Sequence, residues 1–302
     1  MGLRNLVASI IDTAVDRAYF CLRPKLVVQK DTDILLHWLS QWVEVREYKY
    51  PALYLEFMRR WTEDSACVVQ QIKGTPSGRY ALLLDQLASH VPVAPINLAN
   101  EAAKIADAIA DRREIFNFGD WSADVGLHFQ ISSSLGRKGR LLCAATRLLR
   151  PAKCLEIGTA YGMSGFFIAK TLDSLGGGSL STIEIGPQQQ AIAQETLAGL
   201  PVDFCLGSST ECLSKLSAKG AEFDFVFHDA GHSYSHYVSD FEAMVKMLKP
   251  GTVLIMDDIR WEDSRFFEGG ARTYEGWRKV VEHPRVVAAA DVDDAYGIAL
   301  LS

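Results

Sequence analysis

The sequence predicts an α/β fold: a doubly wound, Rossmann-like sheet of seven strands, the last of them antiparallel, behind a helical N-terminal region. Short apolar runs alternate with amphipathic segments from about residue 150 onward. Most of those runs are continuous rather than alternating, the pattern of strands buried on both faces of a parallel sheet. Before about residue 120 the periodicity is helical instead.

In chain order, Ile34, Leu35, Trp38, Leu39 and Trp42 share one helical face, with Asp31 or Asp33 as its cap. Pro92, Pro95 and Asn100 mark a break before a second helix within Glu101–Ile115, whose apolar face is Ala102, Ile105, Ala106 and Ile109. The first thirty residues are apolar and slightly basic, a pattern that suits a helix packed on the protein's own core, a membrane surface or a partner subunit. The strand runs are Lys153–Ile157, Ser179–Ile185, Val202–Leu206, Phe223–Phe227, Val253–Met256, Val286–Ala290 and Gly297–Leu301. A helix over Tyr234–Leu248 is expected from Phe241, Met244, Val245 and Leu248. Too little chain separates the last two runs for a helical crossover, so they are expected to form an antiparallel hairpin at one edge. The division expected is a helical region over 1–120, acting as lid, dimerisation surface or substrate cover, and a ligand-binding domain over 121–302.

A net charge of −6 argues against a nucleic-acid partner and leaves a small molecule as the expected one. The six cysteines contain no C-x-x-C pair and read as small buried residues of a reducing compartment. No apolar run reaches the length that spans a bilayer, and the N-terminus lacks a signal peptide's pattern, so a cytoplasmic location is expected.

A doubly wound sheet binds ligands at the C-terminal ends of its strands. There the first strand leads into Glu156-Ile157-Gly158-Thr159-Ala160-Tyr161-Gly162-Met163-Ser164. Gly158 and Gly162 allow a tight turn and close backbone approach, and Ser164 opens the next helix. The G-x-G-x-x-G spacing of a dinucleotide site is absent, and the acidic Glu156 suits a cationic ligand where a pyrophosphate would be repelled. The second strand brings Glu184, placed for the two hydroxyls of a ribose. The third leads to Gly207-Ser208-Ser209-Thr210, small enough to edge an adenine.

Residues 150–302 resemble the class I S-adenosylmethionine-dependent methyltransferases, and among them the catechol and caffeoyl-coenzyme-A type O-methyltransferases. The stretches that carry the resemblance are LEIGTAYGMS, TIEIGPQQQAIAQ, the GSST turn, FDFVFHDAGHSY and LKPGTVLIMDDIRW. It implies S-adenosylmethionine as cofactor. Glu156, Gly158, Thr159, Gly162 and Ser164 would lie around the methionine part, Glu184 at the ribose, and Ser208 and Ser209 near the adenine, with Asp229 facing the cofactor.

The fourth strand ends in His228-Asp229-Ala230-Gly231-His232 and the fifth in Asp257-Asp258-Ile259-Arg260. Adjacent strands bring Asp229, Asp257 and Asp258 to one sheet edge, where carboxylates repel each other unless something cationic sits between them. A hard divalent ion such as magnesium would resolve this. In the similar enzymes these positions are metal ligands, usually Asp, Asp and Asn, so Asp258 departs from the pattern and adds a charge. His232 stands where those enzymes carry a catalytic lysine, and it suits a general base. His228 and His236 are weaker candidates, and Trp261–Trp277, rich in aromatics and charge, reads as a substrate lid or a plain surface loop. The expectation is a divalent-metal-dependent O-methyltransferase of a small hydroxylated metabolite, as a possible homodimer. The alternatives are a metal-independent methyltransferase with His232 as base, an aminopropyltransferase-like enzyme that would hold an amine on Asp229 and Asp257, and a catalytically silent module.

Overall fold

The structure, a computed structural model, describes residues 66–89, 96–118, 121–132, 136–260 and 272–302. The helix expected over residues 34–42 and the first-thirty-residue segment lie outside these, as does most of the proposed lid. The chain divides into two compact units, one of residues 1–59 and 103–134 and the other of residues 60–102 and 135–302.

The larger unit is built on a sheet of eight strands in the order β1-β9-β10-β8-β7-β4-β5-β6. Its centre is β4 (Lys153–Ile157), β5 (Ser179–Glu184), β7 (Phe223–His228) and β8 (Leu248–Met256), with β6 (Val202–Leu206) beyond β5. β4 pairs parallel with both β5 and β7, β5 with β6, and β7 with β8. Leu155, Phe225, Val226, Phe227, Leu254 and Ile255 are fully enclosed, which is why these stretches read as continuous apolar runs. The chain runs outward from β4 to β6, then returns to β7 on the other side of β4. That reversal between β4 and β7 is where a doubly wound sheet opens its ligand crevice.

The expected C-terminal hairpin forms from β9 (Val286–Val292) and β10 (Tyr296–Leu301), and β10 also runs antiparallel to β8. It is not at an edge. A strand from the region expected to be helical, β1 (Val69–Lys73), pairs antiparallel with β9 and closes that side. The stretch Val-Gln-Gln-Ile-Lys, only partly buried, carries too few apolar residues to announce a strand.

Nine helices are described, α1 (Gly78–Ser89) and α2 (Ile96–Ala110) first. α2 buries Ala102, Ala106 and Ile109 as the periodicity predicts, but it ends five residues before Ile115, which belongs to β2 (Ile115–Phe118). In the smaller unit β2 pairs with β3 (Trp121–Asp124) as a hairpin, followed by α3 (Val125–Ser132). The other helices are α4 (Gly136–Leu149), α5 (Met163–Ser174), α6 (Pro187–Thr196), α7 (Ser209–Ala218), α8 (Tyr234–Met244) and α9 (Thr273–Glu282). α8 stops short of Leu248, because Val245–Met247 tighten into a 3₁₀ turn that feeds β8. The described cysteines Cys67, Cys143, Cys154, Cys205 and Cys212 are all free thiols. Among the described residues no helix is long and apolar enough to cross a membrane.

Candidate active site

The strand ladder continues past the strand ends and fixes the loops of the crevice. Asp229 N–H donates to Ile157 O at 2.8 Å, Asp257 N–H to His228 O at 2.9 Å, and Gly207 N–H to Glu184 O at 2.9 Å. Asp229, Asp257 and Glu184 are thereby held directly at the strand exits.

The loop after β4 is the tightest part. Gly158 and Gly162 both lie at positive φ, 97° and 86°, a region that costs an L side chain energy. A Cβ on Gly158 would stand 2.2 Å from Asp229 O, so the loop after β4 and the loop after β7 touch through backbone alone. Ala160, also at positive φ (44°), aims its N–H at Glu184 Oε2, 2.7 Å away, while Gly186 N–H donates to Oε1 at 2.8 Å. Glu184 is therefore oriented at the end of β5, and each of its oxygens keeps a lone pair for a ligand hydroxyl. Burial raises its pKa, and the Gly186 and Ala160 N–H groups partly offset this. The Glu184→Ala variant is expected to bind S-adenosylhomocysteine at least about tenfold more weakly than wild type by calorimetric titration, because it loses charge-assisted acceptors worth roughly 1.5–3 kcal/mol.

Glu156 sits elsewhere than at the crevice surface. Its side chain is fully enclosed, and its Oε2 accepts from Thr182 Oγ1 at 2.6 Å and lies under Gly165 of α5. Thr182 in turn meets Thr159. Glu156 thus braces the loop from beneath, and its Oε1 has no hydrogen-bond partner among the described residues. Burial pushes its pKa up to about 7, with hydrogen bonds from Thr182 and Ser164 opposing. A carboxyl raised in this way binds its proton more tightly in the native state, so stability falls as pH rises from the ordinary carboxylate range through about 7. The ligand-free protein is expected to lose up to ~3 kcal/mol from this residue over that window, at about 1.4 kcal/mol per pH unit. Thermal melts between pH 5 and 8 should show a flatter profile for Glu156→Gln than for wild type.

Ser208 caps α7 with a capping box to Glu211. Ser209 Oγ donates to Asp240 Oδ1 at 2.6 Å, and Asp240 Oδ2 meets His228 Nε2 at 2.9 Å. Both Asp240 and His228 are buried. His228 therefore ties the turn after β6 to the end of β7 and does not reach the crevice. His236 is occupied at the start of α8, its Nδ1 2.7 Å from Ser233 Oγ.

The three carboxylates do arrive at one sheet edge, but they do not form one equivalent set. Asp258 lies at φ 53°, a left-handed turn that Asp tolerates better than most residues, and its Oδ2 is 3.7 Å from His232 Nε2. Asp229, His232 and Asp258 place one ligating atom each within 4.8 Å of one another, a cluster that fits a divalent cation. Asp257 is committed otherwise. Its Oδ1 accepts from Asp258 N–H at 2.9 Å, its carbonyl accepts from Tyr237 OH, and its Oδ2 contacts Lys138 Nζ.

Lys138, in the first turn of α4, was invisible to the sequence reading. Its Nζ lies 2.8 Å from Asp229 Oδ2 and touches Asp257 Oδ2 as well, with only 12% of its side chain exposed. Burial alone would lower its pKa; Asp229 and Asp257 more than reverse this and hold it well above its ordinary value. Burial would raise the Asp229 pKa, and Lys138 and His232 bring it below the usual carboxylate range. For Asp257 burial outweighs Lys138, so its pKa rises. Lys138 thus places a positive charge of the chain's own between Asp229 and Asp257. The run Gly-Arg-Lys-Gly just before the first strand of the domain was the only available signal, and nothing in it points to the crevice.

A parallel sheet reversing beside β4, a glycine loop against the fourth strand's exit, and a carboxylate at the end of the second strand make up the crevice of a doubly wound α/β domain. Residues 155–259 match the family model described as a methyltransferase domain. The chain is 31% identical over 128 residues to a catechol O-methyltransferase of Niastella koreensis, covering 40% of this chain and 56% of that protein. It is also 31% identical over 148 residues to catechol O-methyltransferase B of Danio rerio, covering 46% and 51%. It thus spans about half the length of these curated relatives. Among solved structures, the O-methyltransferase TomG of Streptomyces achromogenes, involved in tomaymycin synthesis and in complex with S-adenosylmethionine, superposes with a TM-score of 0.52 at 25% identity. The match covers 67% of this chain and 89% of that one.

Proposed function

We propose that the chain transfers the methyl group of S-adenosylmethionine to a hydroxyl oxygen of a small acceptor, at the crevice between the ends of β4, β5, β7 and β8. The observation that carries this reading is the meeting of Asp229, His232 and Asp258 one loop away from the oriented carboxylate of Glu184. The resemblance to catechol O-methyltransferases and to the S-adenosylmethionine-bound TomG supports it.

In this reading Glu184 takes the ribose hydroxyls, and the exposed Ile185 beside it offers an apolar surface to the adenine. Glycine at positions 158 and 162 lets the methionine part approach the backbone, with Thr159 and Ser164 lining the loop. Ser208 and Ser209 border the adenine, and the Asp240–His228 pair holds their turn in place.

His232 accepts the acceptor's hydroxyl proton at Nε2, and Asp258 beside it favours the resulting imidazolium. The acceptor oxygen forms its bond to the methyl carbon as the carbon–sulfur bond breaks, and the electron pair stays on sulfur. Holding the two reactants in line supplies much of the acceleration. Asp229 and Asp258 would hold a divalent cation, magnesium in the first instance, with Asp257 joining them, once Lys138 gives way. Such an ion, when bound, lowers the pKa of a coordinated hydroxyl.

The test is incubation with methyl-labelled S-adenosylmethionine and a panel of catechols, other phenols and vicinal diols, each with and without a chelator. Label on a hydroxyl oxygen is the expected result. Label only on nitrogen, or none on any acceptor, would overturn it.

A further inference from the structure

We propose that Lys138 is a resident counter-ion that competes with a divalent cation for Asp229 and Asp257, so that metal enters this site only by displacing the ammonium. The inference deepens the reading of the crevice given above and concerns its metal occupancy alone.

The geometry leaves little alternative use for this side chain. Its Nζ is within contact distance of carboxylate oxygens from two adjacent strands, one at the exit of β7 and one at the exit of β8. Asp257 is almost completely enclosed (3% of its side chain exposed), and Asp229 is mostly so (18%). Two buried carboxylates this close to one another repel unless one keeps its proton or a cation sits between them, and here the Lys138 ammonium contacts both. Beyond Lys138 and the neighbouring Asp229, Asp257 is met by Asp258 N–H at Oδ1 and by Tyr237 OH at its backbone carbonyl. A metal that drew on Asp229 and Asp257 together would place its charge against the ammonium, and one of the two cations has to leave. Lys138 stands in the first turn of α4, after Gly136, and its long side chain can swing out from that anchor. Asp258, which Lys138 does not contact directly, remains to receive the incoming ion.

The experiment uses Mn²⁺ as the probe, with free ion counted by electron paramagnetic resonance on the full chain stripped of metal, and with neither cofactor nor acceptor present. Lys138→Met is expected to bind Mn²⁺ at least about tenfold more tightly than wild type, because it removes the competing charge and leaves the carboxylates unpaired. Lys138→Arg keeps the charge and is expected to bind no more tightly than wild type. Adding Asp229→Asn to Lys138→Met is expected to erase the gain, which places it at this site. Equal or weaker binding by Lys138→Met would overturn the proposal.

Should Lys138→Met fail to fold, the wild-type protein supplies the answer. Reductive methylation of Lys138, followed by mass spectrometry, is expected to rise several-fold in saturating Mn²⁺ as the amine is released. Unchanged labelling would overturn the proposal equally. None of these readouts involves methyl transfer, so a failure here is distinct from a failure of the methyltransferase reading.

Discussion

Gly158→Ala is expected to abolish measurable cofactor binding, with an affinity loss of at least roughly a hundredfold. Two costs add. The residue lies at φ 97°, where a side chain pays roughly 1–2 kcal/mol. The new Cβ would also stand 2.2 Å from Asp229 O, and that oxygen belongs to backbone fixed by the bond from Asp229 N–H to Ile157 O. Neither partner yields without pulling the loop after β4 away from the exit of β7. Gly176→Ala is the matched control. Gly176 also has positive φ (79°), but a Cβ there meets nothing within 4 Å. It is expected to lose some stability and no affinity. Calorimetric titration of both variants with S-adenosylhomocysteine separates a crevice effect from general backbone strain.

Asp229→Asn is expected to reduce methyl transfer by at least about a hundredfold while the sheet stays intact. Asn preserves the shape and the backbone bond to Ile157, and removes only the charge. That charge is surrounded by the ammonium of Lys138 at 2.8 Å, by Asp257, and by His232 and Asp258 of the same cluster. Preorganised charge at the reacting centre typically contributes several kcal/mol to a rate, and its loss appears in turnover more than in cofactor affinity. Turnover with labelled S-adenosylmethionine, alongside circular dichroism to confirm folding, is the measurement. Near-wild-type turnover would remove Asp229 from the chemistry.

The centre of the sheet was readable because Phe225–Phe227 of β7 and Val253–Met256 of β8 are buried on both faces, and burial of that kind favours continuous apolar sequence. The glycine loop and Glu184 were readable for a related reason: they are local, fixed by position relative to a strand end. β1 was not, because a partly exposed strand containing two adjacent glutamines carries no such imprint. Lys138 failed for a different reason. It reaches Asp229 across 91 residues of sequence, and only the packing of α4 beside the strand exits puts it there. Clustered carboxylates at adjacent strand exits are legible as an electrostatic problem, but the lysine that contacts them is not, because it comes from another element. The inward turn of Glu156 and the relay from Ser209 through Asp240 to His228 belong to the same class, because both depend on which face a side chain takes once the helices have packed.

The most direct test of the central claim is a calorimetric titration of the wild-type chain with S-adenosylhomocysteine. Saturable binding of one ligand per chain in the micromolar range, with no competition from NAD, is the expected result for a crevice that carries an acidic strand end and a G-x-x-x-G loop. No binding at any accessible concentration, or equal displacement by a dinucleotide, would contradict it.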